Sequence, residues 1–115
     1  MILNIYKPST WTSFDVVKKI KIITKEKKVG HGGTLDPFAE GVLIIGTNID
    51  TKKLSNISRC NKTYTATIKL GIHTDSFDRD GKIIKTNKVP MLNEVIINSV
   101  LQSFIGTYKH LPPMY

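Results

Sequence analysis

An α+β fold is predicted for this 115-residue sequence by the order of its patterned segments. A short apolar strand comes first, followed by an amphipathic helix, a glycine-rich loop, further strand patterns and a second amphipathic helix. No internal repeat, low-complexity tract or Gly/Ser/Pro-rich linker interrupts this order. We therefore expect a single compact region.

The first strand and the first helix are indicated by local signals. The segment ILNIYKP, residues 2–8, has the composition of a short strand and is closed by Pro8. The segment TSFDVVKKIKIIT begins with Thr12 or Ser13 as the N-cap, and Asp15 stands where the acidic partner of a capping box is expected. Helical spacing places four apolar residues on one face: Val16, Val17, Ile20 and Ile23. These signals predict an amphipathic helix.

The later elements are predicted from apolar patterns and turn residues. VLII, residues 42–45, is expected to be a buried strand, and TYTATIKLGI alternates like a half-buried strand with Tyr64 on its apolar side. The Asp-Gly pair in DSFDRDGK predicts a turn into a further strand, KIIKT. A helix is predicted after Pro90, with Gly106 as its stop signal. Its apolar side consists of Leu92, Ile96, Val100, Leu101 and Phe104.

The charge of the chain favours a polyanionic partner. Seventeen Lys and Arg stand against nine Asp and Glu, which gives a formal net charge of +8 at pH 7 and a pI near 9.7. Nucleic acid is the first candidate. Fifteen of the cations are lysines, which suit phosphate groups, and only Arg59 and Arg79 could make bidentate contacts to base edges. Contact with a nucleic-acid backbone is therefore expected in preference to base-by-base reading.

Several functional classes are excluded by what the sequence lacks. Cys60 is the only cysteine, so neither an intramolecular disulfide nor a thiolate metal cluster is expected. His31, His73 and His110 lack metal-ligand spacing, and the glycines of GHGGT match neither a dinucleotide fingerprint nor a P-loop. The longest apolar run, residues 42–45, is too short to span a membrane. We predict a soluble protein that uses no metal and no cofactor.

The loop sequence KKVGHGGTLDPFAEGVLII, residues 27–45, places Asp36 immediately before Pro37. An Asp-Pro pair initiates turns, so the first interpretation of Asp36 is a turn residue whose side chain accepts hydrogen bonds from local backbone N–H groups. The corresponding interpretation of Tyr64 is a half-buried strand residue with its hydroxyl at the surface. Pattern alone assigns no chemistry to either residue.

A family resemblance adds a second interpretation. The segment GHGGTLDPFAEGVL resembles the active-site signature of the tRNA pseudouridine synthase B (TruB) family, and KPSTWTSFDVV resembles the motif before it. Three later segments, KTYTATIKLG, TDSFDRDG and FIGTYKHLPPMY, are similar to family segments in the same order. The resemblance implies a pseudouridine synthase fold, a mixed, largely antiparallel sheet with flanking helices. Residues 1–115 would be the N-terminal part of its catalytic domain, an incomplete fold without the family's C-terminal RNA-binding domain.

The activity implied by the resemblance is the conversion of uridine 55 in the T-loop of tRNA to pseudouridine. Asp36 would act as nucleophile on C1′ of the ribose or C6 of the base, or otherwise assist loss of the base from the sugar. His31 would fill the space left by the flipped base, and Tyr64 would stack on the extruded uracil. Lys7 would support the site near Asp36, with a phosphate contact or a purely structural role as alternatives.

The expected setting follows from the same resemblance. We expect a monomer in the full-length form, located in the cytoplasm, or in an organelle stroma if the gene is organellar. The competing hypothesis is a truncated, catalytically inactive RNA-binding fragment, because the family's catalytic Asp pairs with an Arg that is carried by a later strand.

Overall fold

The computed structural model describes residues 1–107 and 109 and divides the chain into two compact units. The first unit, Met1–Tyr64, contains strands β1 (Ile2–Lys7), β2 (Val29–His31) and β3 (Gly41–Thr47), helices α1 (Ser13–Thr24) and α2 (Leu54–Ile57), and a 3-10 helix over Asn48–Lys53. The second unit, from Thr65 onwards, contains β4 (Ile72–Thr74), β5 (Ile83–Thr86) and helix α3 (Glu94–Ser103). Helices combined with antiparallel sheets confirm the predicted α+β class.

The first unit is built on a three-stranded antiparallel sheet in the order β1-β3-β2. All six residues of β1 pair with β3, and Lys7 lies opposite Gly41 at the start of β3. Leu43 and Ile45 are 2% and 0% exposed, which confirms that the segment VLII contributes to a buried strand. This register brings Lys7 to the point where the connection from β2 enters β3.

Helix α1 begins where the capping signals predict. The Thr12 hydroxyl accepts a hydrogen bond from the Asp15 N–H at 3.1 Å, and the Asp15 carboxylate accepts one from the Thr12 N–H at 3.0 Å. This reciprocal pair is the capping box that the sequence predicts. It makes Ser13 the first residue of the helix.

The apolar face of α1 and the central strand β3 form the core of the first unit. The buried cluster consists of Val16, Val17, Leu43 and Ile45. Ile20 packs partly buried against this cluster, whereas Ile23 is 63% exposed. The face predicted by helical spacing is therefore covered in its first two turns and open at Ile23.

The second unit contains the predicted hairpin and the predicted second helix. β4 and β5 pair antiparallel, and their connecting loop is held by the Asp78 carboxylate, which accepts hydrogen bonds from the Ser76 hydroxyl and from two backbone N–H groups. Helix α3 is capped by Asn93, whose side chain accepts a hydrogen bond from the Ile96 N–H at 2.9 Å. The apolar side predicted for α3 is exposed in this structure: Leu92, Ile96, Val100, Leu101 and Phe104.

The half-buried strand predicted over residues 63–72 is wrong for residues 63–71. These residues form no strand, and Tyr64 is 69% exposed. An isolated strand is not stable because its backbone hydrogen bonds need a neighbouring strand, and within the described part of the chain no strand pairs with this segment. Residues 108 and 110–115, which include His110 and most of the segment FIGTYKHLPPMY, lie outside the described residues. Among the helices that the structure describes, none has the length and apolar character needed to cross a membrane.

Candidate active site

Asp36 lies in the connection between β2 and β3, at the first position of a tight turn. Its carbonyl oxygen accepts a hydrogen bond from the Ala39 N–H at 3.0 Å, and Pro37 occupies the second turn position, where its fixed φ is favourable. A residue before proline is restricted to extended backbone conformations, so Pro37 also limits the backbone dihedral angles of Asp36. The turn predicted from the Asp-Pro pair is therefore confirmed.

The Asp36 side chain takes no part in this turn. Asp36 is exposed, and across residues 1–107 and 109 its carboxylate makes no hydrogen bond and no ion pair. The expectation that the carboxylate accepts hydrogen bonds from local N–H groups is therefore wrong. Asp36 is an exposed residue, so its unbonded carboxylate can be reached from solvent.

Lys7 holds the backbone on the C-terminal side of Asp36. Its side chain is 0% exposed, and its ammonium donates to the carbonyl oxygens of Pro8 at 2.9 Å, Trp11 at 2.6 Å and Pro37 at 3.2 Å. An ammonium has three N–H groups, so these three carbonyls use its full donor capacity. Of the roles left open for Lys7, the contacts favour support of the Asp36 loop over a phosphate contact.

Ser13 holds the backbone on the N-terminal side of Asp36. The residue is 3% exposed. Its hydroxyl accepts a hydrogen bond from the Leu35 N–H at 2.9 Å and donates one to the Leu35 carbonyl at 3.2 Å. On the C-terminal side of Asp36, the Ser9 hydroxyl donates a hydrogen bond to the Phe38 carbonyl at 3.2 Å. Residues 7–13 therefore hold the loop on both sides of Asp36.

Thr10 completes this arrangement in a strained conformation. Its N–H donates to the Pro37 carbonyl at 2.8 Å, the same oxygen that Lys7 contacts. Thr10 has a φ of 74°, in the left-handed region that a β-branched residue rarely adopts. Such a conformation costs on the order of 1 to 3 kcal/mol and persists only where surrounding contacts fix it. The hydrogen bond to the Pro37 carbonyl, in the Asp36 loop, is one of the contacts that fix Thr10 in this conformation.

His31 ends β2 and precedes Asp36 by five residues. It pairs with Ile45 in the sheet and is partly buried. Its Nδ1 atom is buried and has no hydrogen-bond partner among the described residues. In the same part of the chain, no group of three or more His, Cys, Asp or Glu side chains is placed to hold a metal ion. His31 thus stands at the beginning of the Asp36 loop with one ring nitrogen unsatisfied.

Tyr64 is the last residue of the first unit and lies outside any regular element. Among the residues that the structure describes, no hydrogen bond or ring contact joins Tyr64 to Asp36 or His31. Lys7 therefore contacts the Asp36 loop, whereas Tyr64 makes no hydrogen bond or ring contact with the described residues of that loop. Ser9, Thr10 and Ser13 were missed by sequence reasoning, because nothing in the spacing links them to a loop more than twenty residues away.

Exposed lysines are concentrated in α1 and in the segment that leads from it into β2. They are Lys18, Lys19, Lys21, Lys25, Lys27 and Lys28. The Lys18 ammonium lies 4.8 Å from the centre of the exposed Phe14 ring, so cationic and aromatic surfaces adjoin on α1. A nucleic-acid backbone is attracted by such a density of cations.

Comparisons with known proteins agree on one family. The family model described as "TruB family pseudouridylate synthase (N terminal domain)" matches residues 21–115. The chain is 49% identical over 114 residues to tRNA pseudouridine synthase B of Clostridium acetobutylicum, with 99% of this chain and 39% of the relative covered. It is 45% identical over 115 residues to the protein of that name from Lactococcus lactis subsp. lactis, with 99% of this chain and 35% of the relative covered. The chain thus spans little more than a third of the length of these curated relatives.

Proposed function

The chain belongs to the TruB family of pseudouridylate synthases, and from this membership we propose that it carries the catalytic carboxylate of a tRNA pseudouridine synthase. The substrate is uridine 55 in the T-loop of tRNA, and the protein acts on it in the cytoplasm. Residues 1–115 form the N-terminal part of the catalytic domain. The coverage of little more than a third of each relative makes the activity of the whole protein part of this proposal.

The reaction is an isomerisation in which every atom of the uridine is retained except the hydrogen on C5, which is replaced by a hydrogen on N1. The bond between N1 of uracil and C1′ of ribose breaks, the base turns, and a bond forms between C5 and C1′. The hydrogen on C5 leaves as a proton, and N1 takes up a proton. Asp36 attacks C1′ or C6, or assists departure of the base; a covalent route divides one difficult exchange into two easier steps.

The observation that carries the proposal is the contrast between the Asp36 side chain and its backbone. The carboxylate is open, whereas hydrogen bonds to Leu35 and Pro37 fix the chain on either side of it. A nucleophile contributes most when its position is set before the substrate arrives, because ordering then costs no free energy during the reaction. A carboxylate needed only for the turn would be bonded to it.

The remaining site residues have roles in handling the base. His31 fills the space that the flipped uridine leaves, and Tyr64 stacks on the extruded uracil, a contact that contributes about 1 to 3 kcal/mol per base. Tyr64 is 69% exposed, so its ring can be reached by a base from solvent. Lys7 supports the Asp36 loop from within, and the exposed lysines attract the phosphates of the RNA.

A second candidate function is RNA binding without turnover. It is favoured by one observation: among the described residues, no cation is bonded to the Asp36 carboxylate. A charge-assisted partner would orient the carboxylate and balance its charge. Without one, the lysines would still bind RNA, since backbone attraction depends on charge.

The test measures tritium release from T-loop hairpin transcripts that contain uridine labelled at C5. Joining C5 to C1′ expels that hydrogen, so tritium in water counts turnovers. One transcript has uridine at the target position and the other has cytidine there. The chain is assayed alone and with the part of the Clostridium acetobutylicum relative outside the matched region, added as a separate polypeptide.

In the mixture we expect release from the uridine transcript and none from the cytidine transcript. Both transcripts should bind with an affinity that falls as salt rises, because binding releases counterions from the RNA. Salt-dependent binding without release, alone and in the mixture, would support the second candidate. Absence of both binding and release would contradict both functions.

A further inference from the structure

Ser13 contacts both backbone polar groups of the residue that precedes Asp36. The hydroxyl accepts from the Leu35 N–H at 2.9 Å and donates to the Leu35 carbonyl at 3.2 Å. One side chain therefore fixes two successive peptide groups: the one that enters Leu35 and the one that joins Leu35 to Asp36. The Leu35 side chain adds to this by packing, partly buried, against the core cluster.

Ser13 is itself held in place by the start of α1. It is the first residue of the helix, directly after the Thr12 cap, and it is 3% exposed. Because Val16 and Val17 of α1 pack against β3 in the core cluster, the start of the helix and the Ser13 hydroxyl have a defined position relative to the sheet. The Ser13 side chain thus links the start of α1 to the Asp36 loop by two hydrogen bonds.

The backbone of Asp36 is then constrained from both directions. Ser13 fixes the peptide group on its N-terminal side, and the Asp36 carbonyl is fixed by the turn bond from Ala39. Beyond the turn, the Pro37 carbonyl receives bonds from Lys7 and Thr10. Among these contacts, only those of Ser13 act on the N-terminal side of Asp36.

We propose that Ser13 is a positioning residue, an inference that rests on the proposed function: its hydroxyl sets the direction in which the Asp36 carboxylate meets the target uridine. Ser13 touches neither the reacting atoms nor the RNA in this account. Its effect passes through the peptide group of Leu35. Loss of the hydroxyl should therefore slow the chemical step much more than it weakens RNA binding.

The test compares three variants with the wild-type chain. Ser13→Ala removes the hydroxyl, and Ser13→Thr retains it. Thr47→Val is the matched control, because it removes a fully buried hydroxyl at the opposite end of β3, where Thr47 accepts a hydrogen bond from the Met1 ammonium at 2.9 Å. A general loss of stability should appear in Thr47→Val as well as in Ser13→Ala.

The first measurement is the backbone order parameter from 15N relaxation of the isolated chain. For the Asp36 amide we expect a value of about 0.85 in the wild type, Ser13→Thr and Thr47→Val, and below about 0.6 in Ser13→Ala. The second measurement is tritium release in the mixture described above. Ser13→Ala should lower kcat by on the order of 100-fold, as a misplacement of about 1 Å does, with a much smaller change in KM.

An unchanged Asp36 order parameter in Ser13→Ala would overturn the inference, as would equal changes in Ser13→Ala and Thr47→Val. A fall in kcat that Ser13→Thr does not restore would also count against it. If the wild type releases no tritium, the proposed function fails, and the positioning of Asp36 for that reaction fails with it. The order parameters then report only whether Ser13 holds the loop.

Discussion

Lys7 shows how one residue can stabilise a loop from inside the protein. Its ammonium is fully buried and is bonded to three carbonyl oxygens, two of which belong to residues 8–11 and one to Pro37. A buried charge is costly unless hydrogen bonds satisfy it, and here all three N–H groups have acceptors. The sequence drew attention to Lys7 through its motif, and the contacts show what the residue does.

Replacement of Lys7 by Met should therefore destabilise the first unit strongly. The Pro8 and Trp11 carbonyls would lose their donor, whereas the Pro37 carbonyl would keep the Thr10 N–H. An acceptor left unsatisfied costs about 1 to 3 kcal/mol, so a loss of about 2 kcal/mol in unfolding free energy is expected. Urea denaturation measures this loss. Lys53→Met is the control: that ammonium pairs with Asp50 at the surface, with a side chain that is 69% exposed, and a loss below about 1 kcal/mol is expected. Equal losses in the two variants would contradict the account.

At the scale of elements, α1 connects sequence to site most directly. Its N-terminus is fixed by the reciprocal bonds of Thr12 and Asp15, and the first residue after the cap is Ser13, which contacts the Asp36 loop. The Thr12 hydroxyl first, and the Thr12 N–H second, hold the pKa of the Asp15 carboxyl below its usual value. The cap is therefore sensitive to acid.

The direction of this pH dependence follows from the lowered pKa. A carboxyl whose pKa is lower in the folded than in the unfolded state stabilises the fold above its unfolded pKa of about 3.9, and this contribution is lost as the pH falls through the folded value. Asp15→Asn should reduce the loss of stability between neutral pH and pH values below about 4, measured as the shift in urea midpoint. Thr12→Ala removes the hydroxyl, the larger cause of the lowered pKa, and keeps the backbone N–H, so it should have the same effect to a smaller extent.

Part of the acid sensitivity should remain in both variants. Contacts with Lys53 and the N-terminal ammonium lower the pKa of Asp50, and the Ser76 hydroxyl and two backbone N–H groups lower that of Asp78. An identical dependence on pH in the wild type and Asp15→Asn would show that the cap does not contribute.

The elements that the sequence predicted correctly are those specified by neighbouring residues. The capping box of α1 and the Asp-Gly turn of the second unit both depend on groups within a few positions of one another. The strand predicted around Tyr64 does not form, because the alternation of apolar and polar residues describes only the segment itself and not the strand with which it must pair. Its stability depends on a neighbouring strand, and no local pattern can supply that information.

At the scale of the whole molecule, the candidate site could be predicted from the sequence only where it depends on neighbouring residues. The turn at Asp36 was predictable from its proline, whereas the hydrogen bonds from residues 7–13 join segments that are 22 to 30 positions apart. Spacing carries no information about such contacts. The catalytic role of Asp36 and the roles of His31 and Tyr64 come from family resemblance and stay predictions.

The apolar side of α3 is a second property at this scale. Val100, Leu101 and Phe104 are 52%, 54% and 63% exposed. Their helical periodicity is as regular as that of α1, whose first two turns are buried on β3. Periodicity therefore predicted both helices, but it did not predict which of them would be covered.

The central claim is that the Asp36 carboxylate performs the chemistry. It is tested most directly by measuring tritium release from the uridine transcript in the mixture, with Asp36→Asn in place of the wild-type chain. This change keeps the shape of the side chain and removes its negative charge. Asp80→Asn is the matched control, since Asp80 is 58% exposed in the hairpin loop and has no proposed catalytic role. We predict that Asp36→Asn abolishes release while its unfolding free energy and RNA affinity stay close to those of the wild type, and that Asp80→Asn retains release. Release by Asp36→Asn at the wild-type rate would contradict the account.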